Sequence, residues 1–279
     1  MPLTESGATQ IAARGLTFDV HVGGPANGEP VLLLHGFPQH SGEWAEVVPV
    51  LHAAGLRTYA LDQRGYSSGA RPPAVEDYRM AECVADALAV LDALRVDAAH
   101  VVGHDWGAVV AWSAAAQRPE RVRTLTAVSV PHPSAMSHAM ATDADQRARS
   151  SYMALFRQEG KAERVLLADD GAALRRMLSG ARVDEYVAPM LRPGALTAAL
   201  NWYRAMSRGD LGAVAPVTVP TTYVWSDGDV AVGATAAKAC GAHVTGDYVF
   251  VPLAGVSHWV PDEAPRTLAD AVLGRVGRR

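Results

Sequence analysis

The sequence predicts an α/β fold in which helices cover both faces of a mostly parallel sheet and one helical segment interrupts that sheet. Short apolar runs alternate along the chain with segments of helical periodicity, the order that builds parallel sheets. The strand signal stops after Pro133 and returns at residue 221. With 279 residues, the chain can bury one large core and still contain an insertion.

The first half of the chain is interpreted as a hairpin followed by core strands. Residues 10–14 and 17–22 form the predicted hairpin, since glycines join and follow them. The apolar runs that predict core strands are VLLL at 31–34, RTYAL at 57–61, AHVVG at 99–103 and RTLTAVSV at 123–130. Apolar residues at helical spacing predict a helix over 77–95.

The second half begins with a segment that has no strand signal. Residues 134–215 are rich in Ala, Arg and Met with helical periodicity, which predicts a separate helical block. Strand signal returns in two runs, TTYVW at 221–225 and DYVFVPL at 247–253. A helix is expected between these runs and another at the end of the chain, from about residue 263. We therefore predict a core formed by residues 1–133 and 216–279, with 134–215 inserted into it.

Composition indicates a folded protein whose partner is a small molecule. Apolar residues make up 49% and charged residues 19% of the chain, far from the signature of disorder. The formal charge of −4, without a basic stripe, argues against binding to nucleic acid or to anionic membranes. No run reaches the ~18 apolar residues of a membrane span. Only Cys83 and Cys240 are present, so we expect buried thiols and a cytoplasmic location. We expect no metal or other cofactor; a homodimer is left open.

The strongest local signal for chemistry is Gly103-His104-Asp105-Trp106-Gly107, which follows a predicted strand and precedes an apolar helix. A nucleophile elbow has this context, because small residues on both sides let the chain turn sharply and hold the central side chain above the sheet. Asp105 occupies the position of the nucleophile. The alternative is an ordinary strand-to-helix turn in which Asp105 caps the helix.

Other candidate groups follow later strands in the order nucleophile, acid, histidine. Asp227 and Asp229 come directly after TTYVW, and His258 comes after the last strand. Because ligand sites of parallel sheets form at the carboxyl ends of the strands, these side chains are expected to meet Asp105. Either aspartate could be the acid. Ahead of them, the amides of Phe37 and Trp106 are candidates for an oxyanion hole.

Four motifs then resemble a known family. HGFPQ at 35–39, DQRGYSSGARP at 62–72, GHDWGA at 103–108 and GVSHW at 255–259 look like the epoxide hydrolase branch of the α/β-hydrolase superfamily, which also contains haloalkane and fluoroacetate dehalogenases. The resemblance implies an α/β-hydrolase fold with a mostly parallel eight-stranded sheet and a helical cap at 134–215. The family's strand-end pattern W-G-x-x-D falls on Trp225, Ser226 and Asp229, which favours Asp229 as the acid; Ser226 departs from the usual glycine.

The cap motifs of the family make the resemblance more specific. Epoxide hydrolases contain one cap tyrosine in a motif like Y-x-x-x-F and a second in N-W-Y-R, and these motifs fall on Tyr152 and Tyr203. The resemblance implies that both hydroxyls donate to the oxygen of an epoxide. Trp202 and His132 are expected to line the substrate pocket, which the alanines and methionines of the cap would make apolar.

The expected reaction proceeds through an ester. A serine that attacked an epoxide carbon would form an ether without a carbonyl for water to attack, whereas the Asp105 carboxylate forms an ester that can be hydrolysed. His258 would activate the water, and Asp229 would orient the imidazole. The predicted product is a vicinal diol.

Two alternatives use the same fold. A haloalkane-type dehalogenase would employ the same triad, but such enzymes often have Asn where this chain has Phe37 and do not need paired cap tyrosines. Fluoroacetate dehalogenases typically have Arg in place of Trp106. The other alternative is a non-catalytic ligand-binding protein, because fold alone does not prove activity; such a protein has less need to keep nucleophile, acid, base and both tyrosines.

Overall fold

The computed structural model describes residues 8–206 and 214–277 and contains an eight-stranded sheet in the order β1-β2-β4-β3-β5-β6-β7-β8. The strands are β1 (Thr9–Ala13), β2 (Leu16–Gly23), β3 (Glu29–Leu34), β4 (Leu56–Leu61), β5 (Ala99–His104), β6 (Val122–Val128), β7 (Thr221–Ser226) and β8 (Tyr248–Leu253). Only β1–β2 and β2–β4 pair antiparallel. Every other pair is parallel, which confirms the predicted sheet and the opening hairpin.

Helices cover both faces of this sheet and fill the insertion between β6 and β7. In chain order the described helices are α1 (Val48–Ala53), α2 (Met80–Ala93), α3 (Trp106–Gln117), α4 (Pro133–Thr142), α5 (Ala144–Arg149), α6 (Met153–Phe156), α7 (Lys161–Met177), α8 (Val183–Met190), α9 (Ala195–Ala205), α10 (Ala234–Ala239), α11 (Val260–Glu263) and α12 (Pro265–Val276). None of them is both long and apolar enough to cross a lipid bilayer.

The central strands are buried along most of their length because both of their faces are covered. Residues 31–34 and all of β5 are buried. On one face, α2 and α3 pack against the sheet and join the main core. On the other face, a second core forms around α1 and α12. Both cysteines are buried without a disulfide, as expected.

The described part of the insertion contains helices α4 to α9 and no strand. It begins at Pro133, one residue before the predicted boundary, while residues 207–213 of the predicted block lie outside the described residues. Helix α7 is broken at 168–171, where Asp169 and Asp170 have φ values of 51° and 55°. Helical periodicity continues across this kink, so the sequence did not indicate it.

Among the carboxyl ends of the predicted strands, the largest error is at β6. The apolar run predicts a strand to residue 130, but β6 ends at Val128 because Ser129 adopts a φ of 64°, in the left-handed region. The main-chain oxygen of Ser129 accepts a hydrogen bond from the Tyr223 hydroxyl at 2.7 Å. The chain therefore leaves the sheet two residues early and turns directly towards the insertion.

Candidate active site

A sharp turn between β5 and α3 positions Asp105. This residue has φ 50° and ψ −118°, a conformation that L residues rarely adopt. Neighbouring glycines make the turn possible: a Cβ on Gly107 would lie 2.0 Å from the Leu34 carbonyl oxygen, and one on Gly36 would lie 2.3 Å from the Asp105 Cβ. The predicted strand, turn and helix are all present, and Asp105 lies at the carboxyl end of β5.

The Asp105 side chain does not cap α3, which was the alternative interpretation. Asp105 precedes the first helical residue, but its carboxylate makes no capping hydrogen bond. Its Oδ1 accepts from the Phe37 amide at 2.8 Å, and its Oδ2 lies 3.4 Å from His258 Nε2. Both carboxylate oxygens therefore face groups of the predicted site.

The structure distinguishes the two candidate acids. Asp229 lies after β7 with its Oδ2 and Oδ1 at 2.9 Å and 3.0 Å from His258 Nδ1. Its Oδ1 also accepts from the amides of Ala231 and Val232 at 2.8 Å and 3.0 Å. Asp227 is exposed and accepts from the Gly255 amide instead. The structure therefore pairs His258 with Asp229, the acid that the strand-end pattern favoured.

The main chain of His258, like its ring, has several hydrogen-bond partners. Its carbonyl oxygen lies 2.9 Å from His104 Nε2 and 3.0 Å from Ser129 Oγ. The amide of Val260 donates to the same oxygen at 3.0 Å. Because Ser129 directly follows β6 and turns the chain out of the sheet, the early end of that strand also helps to fix the loop that contains His258.

Charges of opposite sign face each other across the site. Burial alone would raise the pKa of the Asp105 carboxyl, but the hydrogen bond and charge of His258 outweigh burial and lower that pKa. Burial lowers the pKa of His258, yet the Asp229 and Asp105 carboxylates outweigh it and raise the pKa to about 10. The surroundings therefore favour the ionised form of Asp105 and the protonated form of His258.

One of the two amides predicted to form the oxyanion hole, that of Phe37, makes a hydrogen bond to Asp105. Phe37, which follows β3, already donates its amide to Asp105 Oδ1. Trp106 is the first residue of α3, where an amide has no acceptor within the helix. An amide in this position at a helix N-terminus is suited to an oxygen that gains negative charge.

Both cap tyrosines meet Asp105 at one cavity. Tyr152 directly precedes α6 and Tyr203 lies on α9, with ring centroids 6.2 Å apart. The Tyr203 ring also packs edge-on against Trp106, with centroids 5.0 Å apart. Burial raises the pKa of both hydroxyls above the ordinary value. Both therefore remain protonated donors at neutral pH.

The cavity at this point is partly open to solvent and has a volume of about 50 Å³. Its wall contains Asp105, Trp106, Val109, Val130, Pro133, Met136, Tyr152, Met153, Tyr203, Met206, Ala231 and Val232. Apart from the carboxylate and the two hydroxyls, these side chains are apolar or indole. A compact apolar molecule with one polar acceptor fits this lining.

Two residues expected in the pocket lie outside this lining. Trp202 is 2% exposed and donates its indole Nε1–H to the Arg64 carbonyl oxygen at 2.8 Å. His132 is fully buried, where it caps α4 and stacks on His243 with ring centroids 4.8 Å apart. Both expectations are corrected. The residues that follow Trp202 and His132 in the sequence, Tyr203 and Pro133, line the cavity instead.

Sequence reasoning missed the groups behind the triad and most of the individual wall residues. The apolar character of the cap was anticipated from its methionines, and three of them, Met136, Met153 and Met206, line the cavity. His104 and Ser129 were not singled out. The signal available for His104 was its position directly before Asp105, where a buried polar ring has to find partners at the strand end.

Comparisons with known proteins agree with this geometry. A family model described as the alpha/beta hydrolase fold matches residues 29–265. The AB hydrolase superfamily protein YfhM of Bacillus subtilis (strain 168) is 33% identical over 94% of this chain and 95% of its own length. Epoxide hydrolase A of Mycobacterium tuberculosis is 30% identical over 88% of this chain and 91% of its own length.

A solved structure extends the similarity to three dimensions. The crystal structure of epoxide hydrolase A from Mycobacterium thermoresistibile aligns with a TM-score of 0.86 at 27% identity. The alignment covers 97% of this chain and 98% of that one. Sheet and cap are therefore both included in the similarity.

Proposed function

Because this chain belongs to the α/β-hydrolase fold family, we propose that it is an epoxide hydrolase, which converts an apolar epoxide to a vicinal diol through an ester on Asp105. The observation that supports this most strongly is that the Asp105 carboxylate and the Tyr152 and Tyr203 side chains line one apolar cavity. A nucleophile and two hydrogen-bond donors are the groups that opening an epoxide requires.

The first step joins Asp105 to the substrate. Oδ2 attacks a ring carbon while Oδ1 remains held by the Phe37 amide, so a carbon–oxygen bond forms and a ring carbon–oxygen bond breaks. The ring oxygen stays bonded to the other carbon and becomes an alkoxide, which Tyr152 and Tyr203 stabilise until it takes up a proton from solvent. Each donor of this kind is typically worth ~10²-fold or more in rate.

The second step releases the diol. Once Asp105 is esterified, it no longer has the negative charge that helps to raise the pKa of His258. The imidazole therefore loses its proton more easily and can accept one from water, while Asp229 stabilises the imidazolium that forms. Water attacks the Asp105 carbonyl carbon as His258 takes its proton, and Oδ1 becomes the oxyanion between the Phe37 and Trp106 amides. The Cγ–Oδ2 bond then breaks, and the diol leaves with Oδ2 and takes up the proton from His258.

The dehalogenase alternative has less support from the cavity. A departing halide needs donors, but it does not need two tyrosines in the same cavity as the nucleophile, where Tyr152 and Tyr203 lie. Phe37 also supplies no side-chain amide for a halide. A protein that only binds a ligand would not need the pairing of Asp105 with His258.

A covalent trap tests this proposal. In a His258→Gln variant, a screen of terminal and internal epoxides should yield an ester on Asp105 that accumulates, detected as a mass increase equal to one epoxide. The Asp105→Asn variant is the control and should gain no mass. Release of halide by the wild-type protein without diol formation would favour the dehalogenase instead.

The cytoplasmic location and a homodimer stay predictions.

A further inference from the structure

A glutamate and a histidine outside the proposed triad lie buried directly behind it. Glu43 is part of a one-turn helix, and His104 is the last residue of β5; both are 0% exposed. Glu43 Oε2 lies 3.2 Å from His104 Nδ1, and His104 Nε2 lies 2.9 Å from the main-chain oxygen of His258. The proposed reaction uses neither side chain, yet burying a carboxyl group is costly unless it is paired.

The hydrogen bonds fix where the protons must be. A carbonyl oxygen can only accept, so the Nε2 that faces His258 carries a hydrogen. If His104 were neutral and Glu43 ionised, a lone pair on Nδ1 would face a carboxylate oxygen and the two would repel. One further proton must therefore lie between Nδ1 and Oε2, whichever of the two atoms it is bonded to.

We propose that Glu43 and His104 are a proton-sharing positioning pair that fixes the main chain of His258 and thereby supports hydrolysis of the ester. This inference rests on the proposed function. With the shared proton the pair is neutral overall, and its Nε2–H donates to the His258 carbonyl oxygen. Without that proton, the Nδ1 lone pair faces the carboxylate, and the repulsion between them weakens the hold of His104 on the His258 main chain.

The surroundings favour keeping the proton near neutral pH. Burial raises the pKa of the Glu43 carboxyl to about 7, against the opposing influence of His104. The titratable groups that face the pair from the packed elements are Asp105, His258, Asp262, Tyr66 and Tyr186. Two of them, Asp105 and Asp262, are carboxylates, so a further buried negative charge here would be repelled.

The pair should affect the second step more than the first. Ring opening depends on Asp105 and the two tyrosines, none of which the pair contacts through a hydrogen bond. Hydrolysis needs His258 Nε2 at the correct distance from a water beside the Asp105 ester. A small displacement of a reacting group can cost ~10²-fold in rate.

The test compares two variants with a surface control in single-turnover experiments with styrene oxide. Glu43→Gln can donate its amide N–H to Nδ1 but cannot titrate. His104→Phe removes the donor to His258. Glu46→Gln changes an exposed glutamate three positions from Glu43. Formation and hydrolysis of the ester are measured separately from about pH 6 to about pH 10.

We expect hydrolysis by the wild type and the Glu46→Gln control to slow at alkaline pH, where the shared proton is lost. Glu43→Gln should lose this alkaline decline, which a purely structural effect would not change. His104→Phe should slow hydrolysis about 10- to 100-fold and ring opening much less. An unchanged alkaline decline in Glu43→Gln would overturn the proposal. The Glu43→Gln measurement is sufficient for this test even if His104→Phe does not fold.

A separate outcome identifies failure of the proposed function. If the wild type forms neither ester nor diol from any epoxide, both proposals fail together. If the wild type turns over normally and the Glu43 and His104 variants match it at every pH, only the positioning pair is overturned.

Discussion

At the scale of single residues, the charge on Asp105 controls the strength of its neighbouring base. In the free protein, its carboxylate and that of Asp229 raise the pKa of His258 to about 10 against the effect of burial. Esterification removes one of these two charges. The base required for hydrolysis is thus released by the step that precedes it, and a single imidazole can serve both halves of the cycle.

This coupling gives a pH prediction. Ester formation should persist well into acid, because the pKa of Asp105 is lowered in the folded protein. Below the alkaline range in which the pair of Glu43 and His104 is expected to lose its proton, hydrolysis should accelerate as pH rises through a His258 pKa that lies below its free-protein value of about 10. Stopped-flow single turnovers give the pKa in the ester, and an NMR titration gives that of the free protein. Equal values for the two states would refute the coupling.

The cap tyrosines give a second prediction at this scale. Changing Tyr152 or Tyr203 to Phe should slow ring opening ~10²-fold, because each variant removes one donor to the developing alkoxide. The double variant should form no ester while unfolding at a temperature close to that of the wild type. Tyr59→Phe, on β4, is the matched control. Normal turnover by a folded double variant would rule out the assignment of these tyrosines.

At the scale of elements, the three members of the proposed triad and the Phe37 amide lie just beyond the carboxyl ends of strands, whereas the two tyrosines come from the helical insertion. Asp105 follows β5 and Phe37 follows β3, while Asp229 and His258 follow β7 and β8. Apolar runs and the glycines of the turns predicted this placement, since both are local properties of the sequence. The preference for Asp229 over Asp227 came from the family's strand-end pattern, because apolar runs and glycines do not indicate which carboxylate reaches across to another strand end.

The close packing of the elbow can be measured as stability. Gly107→Ala should lower the free energy of unfolding by about 1–3 kcal/mol, because its Cβ would overlap a backbone oxygen that cannot move aside. Gly274→Ala, in α12, is the control: its Cβ would meet nothing within 4 Å, so the helix should gain roughly 0.5–1 kcal/mol. Urea unfolding measures both. Equal effects would show that the turn tolerates a side chain.

At the scale of the whole molecule, hydrogen bonds join the insertion to the sheet around the site. Trp202 donates to the Arg64 carbonyl oxygen, Trp259 Nε1 donates to the Met177 carbonyl oxygen at 3.0 Å, and the Tyr186 hydroxyl donates to Asp262 at 2.7 Å. Which side chains face the cavity depends on how the two parts dock. Sequence periodicity contains no information on docking, so Trp202 and His132 were misplaced although the helices themselves were predicted.

The corrected role of Trp202 can be tested. Trp202→Phe should lower the free energy of unfolding by about 1–3 kcal/mol, since the buried Arg64 carbonyl oxygen loses its donor. The ratio of rates for small and large epoxides should stay the same, because Trp202 does not line the cavity. Met153→Ala, in the wall, is the comparison that should shift this ratio. A shift with Trp202→Phe but not with Met153→Ala would restore Trp202 to the pocket.

The most direct test of the central claim is a single turnover in water labelled with heavy oxygen, with enzyme in excess over epoxide. If Asp105 is the nucleophile, the oxygen added to the first diol comes from its carboxylate, and the label appears in the peptide that contains Asp105. Diol from the first turnover should therefore be unlabelled. Solvent oxygen in that first diol, with an unlabelled Asp105, would contradict the ester mechanism.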